Sequence, residues 1–147
     1  MRIFRRSILL FGGLAALACS DNESPPVDEG HTPASYTVEI NGFAVTAPYT
    51  FTAGQTARVR IKFFNEAEED LDDVESSHYG GLAFDPASLA TVARVNGHNY
   101  QFDVTGVTAG TGSLLVSFGH DPAADEHTLP SAGVTVDTDD GGGELSQ

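Results

Sequence analysis

The sequence predicts an all-β fold, a single antiparallel β-sandwich of seven or eight short strands. Three observations predict it. Apolar residues alternate with polar ones over runs of five to nine residues, the period of a half-buried strand. Turn signals such as Asn41-Gly42, Ala53-Gly54-Gln55 and Asn96-Gly97 recur between those runs. No stretch carries the 3.6-residue apolar period of a convincing helix.

The elements follow in order. Tyr36, Val38 and Ile40 alternate with Thr37, Glu39 and Asn41, and the chain continues extended after the Asn41-Gly42 turn to Tyr49. Thr56–Phe64 is the clearest strand: Ala57, Val59, Ile61 and Phe63 face one way, and Arg58, Arg60 and Lys62 the other. That basic stripe reads as a solvated face balancing local acid. Asn65–Ser77 is an acidic loop whose like charges disfavour a long helix. Tyr79–Phe84 is a short strand. Ala90–Val95 and His98–Val104 flank Asn96-Gly97 as a hairpin. Ser113–Phe118 alternates inward Leu114, Val116 and Phe118 with outward partners, and Gly133–Asp137 closes the domain.

The flanks differ in composition. Arg2, Arg5 and Arg6 precede an apolar run, Ile8–Ala18, too short to span a bilayer comfortably. The run ends at Ala16-Leu17-Ala18-Cys19, which resembles the lipobox of bacterial lipoproteins, with Ala16 where that motif usually has Leu. The resemblance implies a signal peptide over 1–18, lipidation of Cys19 (palmitate among the acyl chains) and membrane anchoring through that lipid. It implies a location in the bacterial cell envelope, and Ser20 after the cysteine points to the outer rather than the inner membrane. Residues 19–35, rich in Pro and acid, read as a flexible linker that includes His31; 138–147 read as a frayed acidic tail. Cys19 is the only cysteine, so no intrachain disulfide staples the domain at 36–137.

The phrases TAGQTARVRIKF, FDPASLATVARVNGHNYQFDVTG and SAGVTVD resemble bacterial immunoglobulin-like (Ig-like) domains over about Tyr36–Asp137. That likeness implies an Ig-like sandwich and no single function. No Trp is present, and no disulfide joins the sheets, so the antibody-type domain is excluded.

The formal net charge is −14, with 21 acidic residues against 7 basic ones. Such a chain repels nucleic acid and anionic headgroups and favours cations as partners. With the strands lettered in Ig order as A (Tyr36–Tyr49), B (Thr56–Phe64), C (Tyr79–Phe84), D (Ala90–Val95), E (His98–Val104), F (Ser113–Phe118) and G (Gly133–Asp137), the B–C, D–E and F–G connections share one pole. They carry His78, His98 and the pair His120 and His127, with Asp121 and Glu126 beside the last two. His78, His98 and His120 also share the phase of inward-facing neighbours. Imidazole with carboxylate suits Zn²⁺ or Cu²⁺, the carboxylates serving as ligands or as acceptors that fix the tautomers.

The main expectation is therefore a non-enzymatic, membrane-anchored lipoprotein that binds a divalent transition metal at this pole. Calcium fits less well, since the acidic loop lacks the closing pattern of a calcium loop. The spacing contains no HxH, HExxH or CxxC. A blue-copper site is excluded by the lack of a free Cys and a domain Met, and no GxSxG elbow supports hydrolysis. The alternative expectation is an Ig-like adhesion or assembly module that binds a protein or glycan, such as another envelope protein, without metal. Tyr79 is the nearest aromatic anchor at the pole. A third reading makes the clustered imidazoles a pH switch.

Overall fold

A computed structural model describes residues 32–71 and 77–138. The signal-like segment, Cys19, His31, part of the acidic loop and the end of the tail lie outside the described residues. The strands are β1 (Ser35–Ile40), β2 (Phe43–Val45), β3 (Tyr49–Thr52), β4 (Thr56–Phe64), β5 (Tyr79–Asp85), β6 (Ala90–Arg94), β7 (Gln101–Gly106), β8 (Gly110–Gly119), β9 (His127–Thr128) and β10 (Ala132–Asp137). Among the described residues there is no helix.

Two sheets form. One has the order β2-β1-β4-β7-β6 and the other β3-β10-β8-β5, with β9 added to β8. In Ig terms these are A-B-E-D and A′-G-F-C, the arrangement expected from the sequence. Among the described residues there are ten strands rather than seven or eight, because the first strand divides into three and the F–G connection adds a short ladder. The division has a clear cause. Asn41 and Gly42 both have positive φ (51° and 85°), the mirror-image turn that suits a two-residue hairpin. The chain then passes a cis Ala47-Pro48 bond and joins the opposite sheet. There β3 pairs with β10 in parallel, the one parallel ladder between these strands.

The core lies between the sheets. Val59, Ile61 and Phe63 of β4 face Leu114, Val116 and Phe118 of β8, all at most 1% exposed. Phe63 meets Phe118 edge-to-face at 5.1 Å and Tyr100 at 5.2 Å. Close approach is needed at Gly80, where a Cβ would stand 2.9 Å from the Phe63 ring. Leu71, 3% exposed, pins the start of the acidic connection to this core. Asn65 holds the turn before it. Its Oδ1 accepts from the Ala67 and Glu69 amides, each at 2.9 Å, and its Nδ2 donates to the Glu69 carboxylate.

Candidate functional site

The expected pole exists, but its side chains do not all converge. Gly80 N donates to Asn99 O, which ties the start of β5 to the β6–β7 connection. Arg94 joins that connection to the β8–β9 loop by donating from Nη2 to Pro122 O at 3.1 Å and from Nη1 to Asn99 O. The Arg94 guanidinium also covers the rings of Tyr79 (5.5 Å) and Phe102 (5.1 Å). Tyr79, expected as an exposed anchor, is thereby half-buried beneath a cation. Burial pushes the Arg94 pKa down from the usual guanidinium value, and Tyr79 opposes that shift.

Two of the four histidines meet. His78 is 2% exposed and stacks on Phe118 with centroids 5.2 Å apart and planes 20° from parallel. Its Nε2 lies 3.1 Å from His120 Nε2. Phe118 thus fixes the buried ring, and the residue two positions on in the same chain supplies its partner. Glu126 clamps His120 from the other side. Its Oε2 is 2.6 Å from His120 Nδ1, and its Oε1 accepts from the His120 amide at 3.1 Å. That hydrogen bond holds the Glu126 carboxyl below the usual carboxylate range. An ionised Glu126 can only accept, so Nδ1 of His120 carries the proton. In the neutral ring, Nε2 then turns a lone pair toward His78.

The other expected site residues lie apart from this pair. His98 is exposed, with its Nδ1 3.3 Å from Gln101 Nε2. The hairpin there does not close as a two-residue turn. Val95 N donates to Gln101 O, and β7 begins only at Gln101. Tyr100 is drawn inward against Phe63 and accepts at its carbonyl from Ile61 N, so the phase relating His98 to Tyr100 is lost. His127 pairs with Phe118 in the short ladder, its ring 6.4 Å from the Phe118 ring. Asp121 shapes its own turn, accepting from the Ala123 amide at 2.7 Å. Among the described residues, no three or more His, Cys, Asp or Glu side chains are grouped so as to hold a metal ion.

Two sheet faces differ more sharply than the poles, and the sequence reading did not single this out. The outer face of β1-β4-β7 carries Glu39, Arg58, Arg60, Lys62, Gln101 and Asp103 in register. Arg58 pairs with Asp103 at 2.6 Å and Lys62 with Glu39 at 3.2 Å, so the basic stripe balances local acid as expected. The outer face of β3-β10-β8-β5 carries small or uncharged residues instead. Thr50, Thr135 and Thr111 form one row; Gly133 and Ser113 continue the next; Leu115 pairs with Ala83 and Ser117 with Gly81. Asp85 and Asp137 mark only its rim.

Leu115 is 38% exposed at the centre of this uncharged face. A groove of about 490 Å³ runs along the β5 side, lined by Gly81, Ala83, Leu115, Ser117, Arg94 and Asp125 among others. A second groove, of about 680 Å³, begins at Thr50 and reaches Phe43, which is 75% exposed, with no charged residue in its lining. β5 pairs with β8 alone and so ends its sheet.

No family model matches the chain, and no curated protein matches it. Among solved structures the chain is similar to pieces of the S-layer protein SbsC. Against its domains 4 and 5 the identity is 17%, covering 72% of this chain and 54% of that one, with a TM-score of 0.45. Against domains 5–6 the identity is 16%, covering 71% and 44%, with a TM-score of 0.48. Against domains 4–9 it is 18%, covering 79% and 16%, with a TM-score of 0.49. The chain spans about half or less of the length of each of these structures.

Proposed function

We propose that this chain is a non-enzymatic β-sandwich module of the bacterial cell envelope, used in adhesion or assembly. It docks another envelope protein through the outer face of β3-β10-β8-β5. The observation that carries the reading is the charge asymmetry between the two sheets. In a chain of net charge −14, one whole sheet face is kept free of charge between its rims. Solvation alone does not ask for that, since the opposite face shows how this chain solvates a sheet. Small side chains let a partner's backbone approach closely, and with carboxylates held to the rim (Asp85, Asp137) and the groove (Asp125), the centre is buried without the desolvation penalty of a charge. Beyond the Gly80 N–Asn99 O bond, the β5 edge has a strand on one side only and offers its other side to an adjoining strand.

A protein partner fits better than a glycan. Among the described residues, the centre of the face carries Thr, Ser, Gly, Ala and Leu; the rings nearest it stand at its ends, Phe43 in the second groove and Tyr79 beneath the Arg94 guanidinium, so a sugar finds no ring at the centre to stack on. The lipobox-like segment ending at Cys19 supports an envelope location with a lipid anchor on Cys19, the outer membrane being favoured by Ser20.

Position-specific crosslinking in intact cells tests this. A photoreactive residue replaces Leu115 or Thr135 on the uncharged face, and Arg60 or Gln101 on the charged one. The reading expects one crosslinked product of the same mass from both Leu115 and Thr135, lost on adding Ala83→Lys, and no such product from Arg60 or Gln101. A product of twice the chain's mass would make the partner a second copy. Equal crosslinking from both sheets, or none from Leu115 and Thr135, would overturn the docking face.

A further inference from the structure

We propose that the His78–His120 pair is a two-histidine chelate for a divalent transition ion of the Zn²⁺ and Cu²⁺ class, with Glu126 as the carboxylate that orients it. The docking face plays no part in this inference. Zn–N(His) bonds of about 2.0–2.1 Å put two nitrogens of one tetrahedral ion about 3.3–3.4 Å apart. The two Nε2 atoms already stand 3.1 Å apart, so a shift of a few tenths of an ångström admits the ion between them.

The surroundings fit that use. Glu126 holds both the His120 amide and Nδ1, so the Nε2 of His120 is the nitrogen left unprotonated and turned to the shared point. His78 is immobilised by stacking on Phe118, itself 1% exposed, which restricts its ring before an ion arrives. Without an ion, His78 Nε2–H donates to His120 Nε2. On binding, His78 changes tautomer: the proton leaves Nε2 and one is carried on Nδ1, so the ring stays neutral and both Nε2 lone pairs face the metal.

His120 is 55% exposed at its side chain, so the ion enters from solvent and keeps open positions filled by water. Two ligands make the site an open one, weaker than a closed structural Zn²⁺ site. His98 and Asp121, committed to other contacts, are not ligands in this proposal, and His127 is not required.

The test uses the full chain with Cys19→Ser, which removes the only thiol. Zn²⁺ alone is titrated by calorimetry, and the imidazole nitrogens are followed by NMR. The expected result is one equivalent of Zn²⁺, with the His78 and His120 Nε2 resonances moving together and those of His98 unmoved. His120→Ala, at an exposed position, should abolish binding while the fold is retained. Glu126→Gln should weaken it about 10–100-fold. His98→Ala should leave it unchanged, as should Leu115→Lys on the docking face. Undiminished binding in His120→Ala, or no saturable binding by the folded chain, would overturn the proposal.

Discussion

Replacing Phe118 by alanine should remove much of the domain's stability, whereas the same truncation at Leu115, three residues earlier on β8, should remove little. Phe118 is 1% exposed and touches Phe63, Tyr100 and His78 with its ring. A buried Phe→Ala change costs about 3–5 kcal/mol from lost transfer energy and the cavity left behind. A domain of this size has about 5–15 kcal/mol in total. A loss of about 4 kcal/mol corresponds to a fall of roughly 15–30 °C in Tm. Leu115 points outward and is 38% exposed, so its truncation should cost under about 1 kcal/mol. Phe118→Leu keeps most of the apolar bulk and isolates the ring contacts, each worth about 0.5–1.5 kcal/mol. Urea unfolding of the full chain followed by tyrosine fluorescence and far-UV circular dichroism measures all three, since there is no Trp. If Leu115→Ala cost as much as Phe118→Ala, or if Phe118→Ala cost less than about 1.5 kcal/mol, the assignment of inward and outward phase on β8 would be refuted.

The Arg58–Asp103 pair is nearly half exposed on both sides, so a double-mutant cycle should give a coupling of about 0.2–1 kcal/mol that shrinks as salt is raised. Asn65→Ala should cost about 1–3 kcal/mol by leaving the Ala67 and Glu69 amides without their shared acceptor, and hydrogen exchange at those amides should quicken. Burial raises the pKa of Tyr36, whose hydroxyl donates to Pro130 O at 2.8 Å, and that of Tyr49. A raised folded-state value means that this stability is complete below the unfolded tyrosine pKa of about 10 and is lost as pH rises through the folded value. Thermal unfolding across that alkaline range should show the loss, and Tyr36→Phe should reduce its size.

Strand identity was legible wherever one residue in two had to enter the core. The alternation in Thr56–Phe64 named both the buried row and the ion-paired row, and Asn41-Gly42 named its turn type because only residues tolerant of positive φ fit there. Phase failed where tertiary contacts outweighed a local turn signal. Asn96-Gly97 does turn the chain, but Arg94 binds the Asn99 carbonyl and Tyr100 is drawn into the aromatic cluster, so the connection lengthens and His98 swings out. On β8 the same inference reached His120 because nothing interrupts the ladder up to Gly119.

The charge asymmetry of the sheets was written in the same residues but needed the topology to be read. Thr50, Thr111, Ser113, Leu115, Ser117, Gly133 and Thr135 lie in three separate stretches of sequence, none unusual for an exposed strand face. Only the order β3-β10-β8-β5 makes them neighbours. The crossing of the first strand between sheets is decisive here, since it places Thr50 beside Thr135 and extends the uncharged surface toward Phe43. Had the first strand stayed on the sheet with Arg58 and Arg60, β10 would be the edge and its backbone would lie open beside the face. β3 therefore covers β10 and becomes one edge of that sheet, with β5 the other. The β5 edge lies beside the groove that Leu115 and Arg94 share, and a strand-adding partner would begin there.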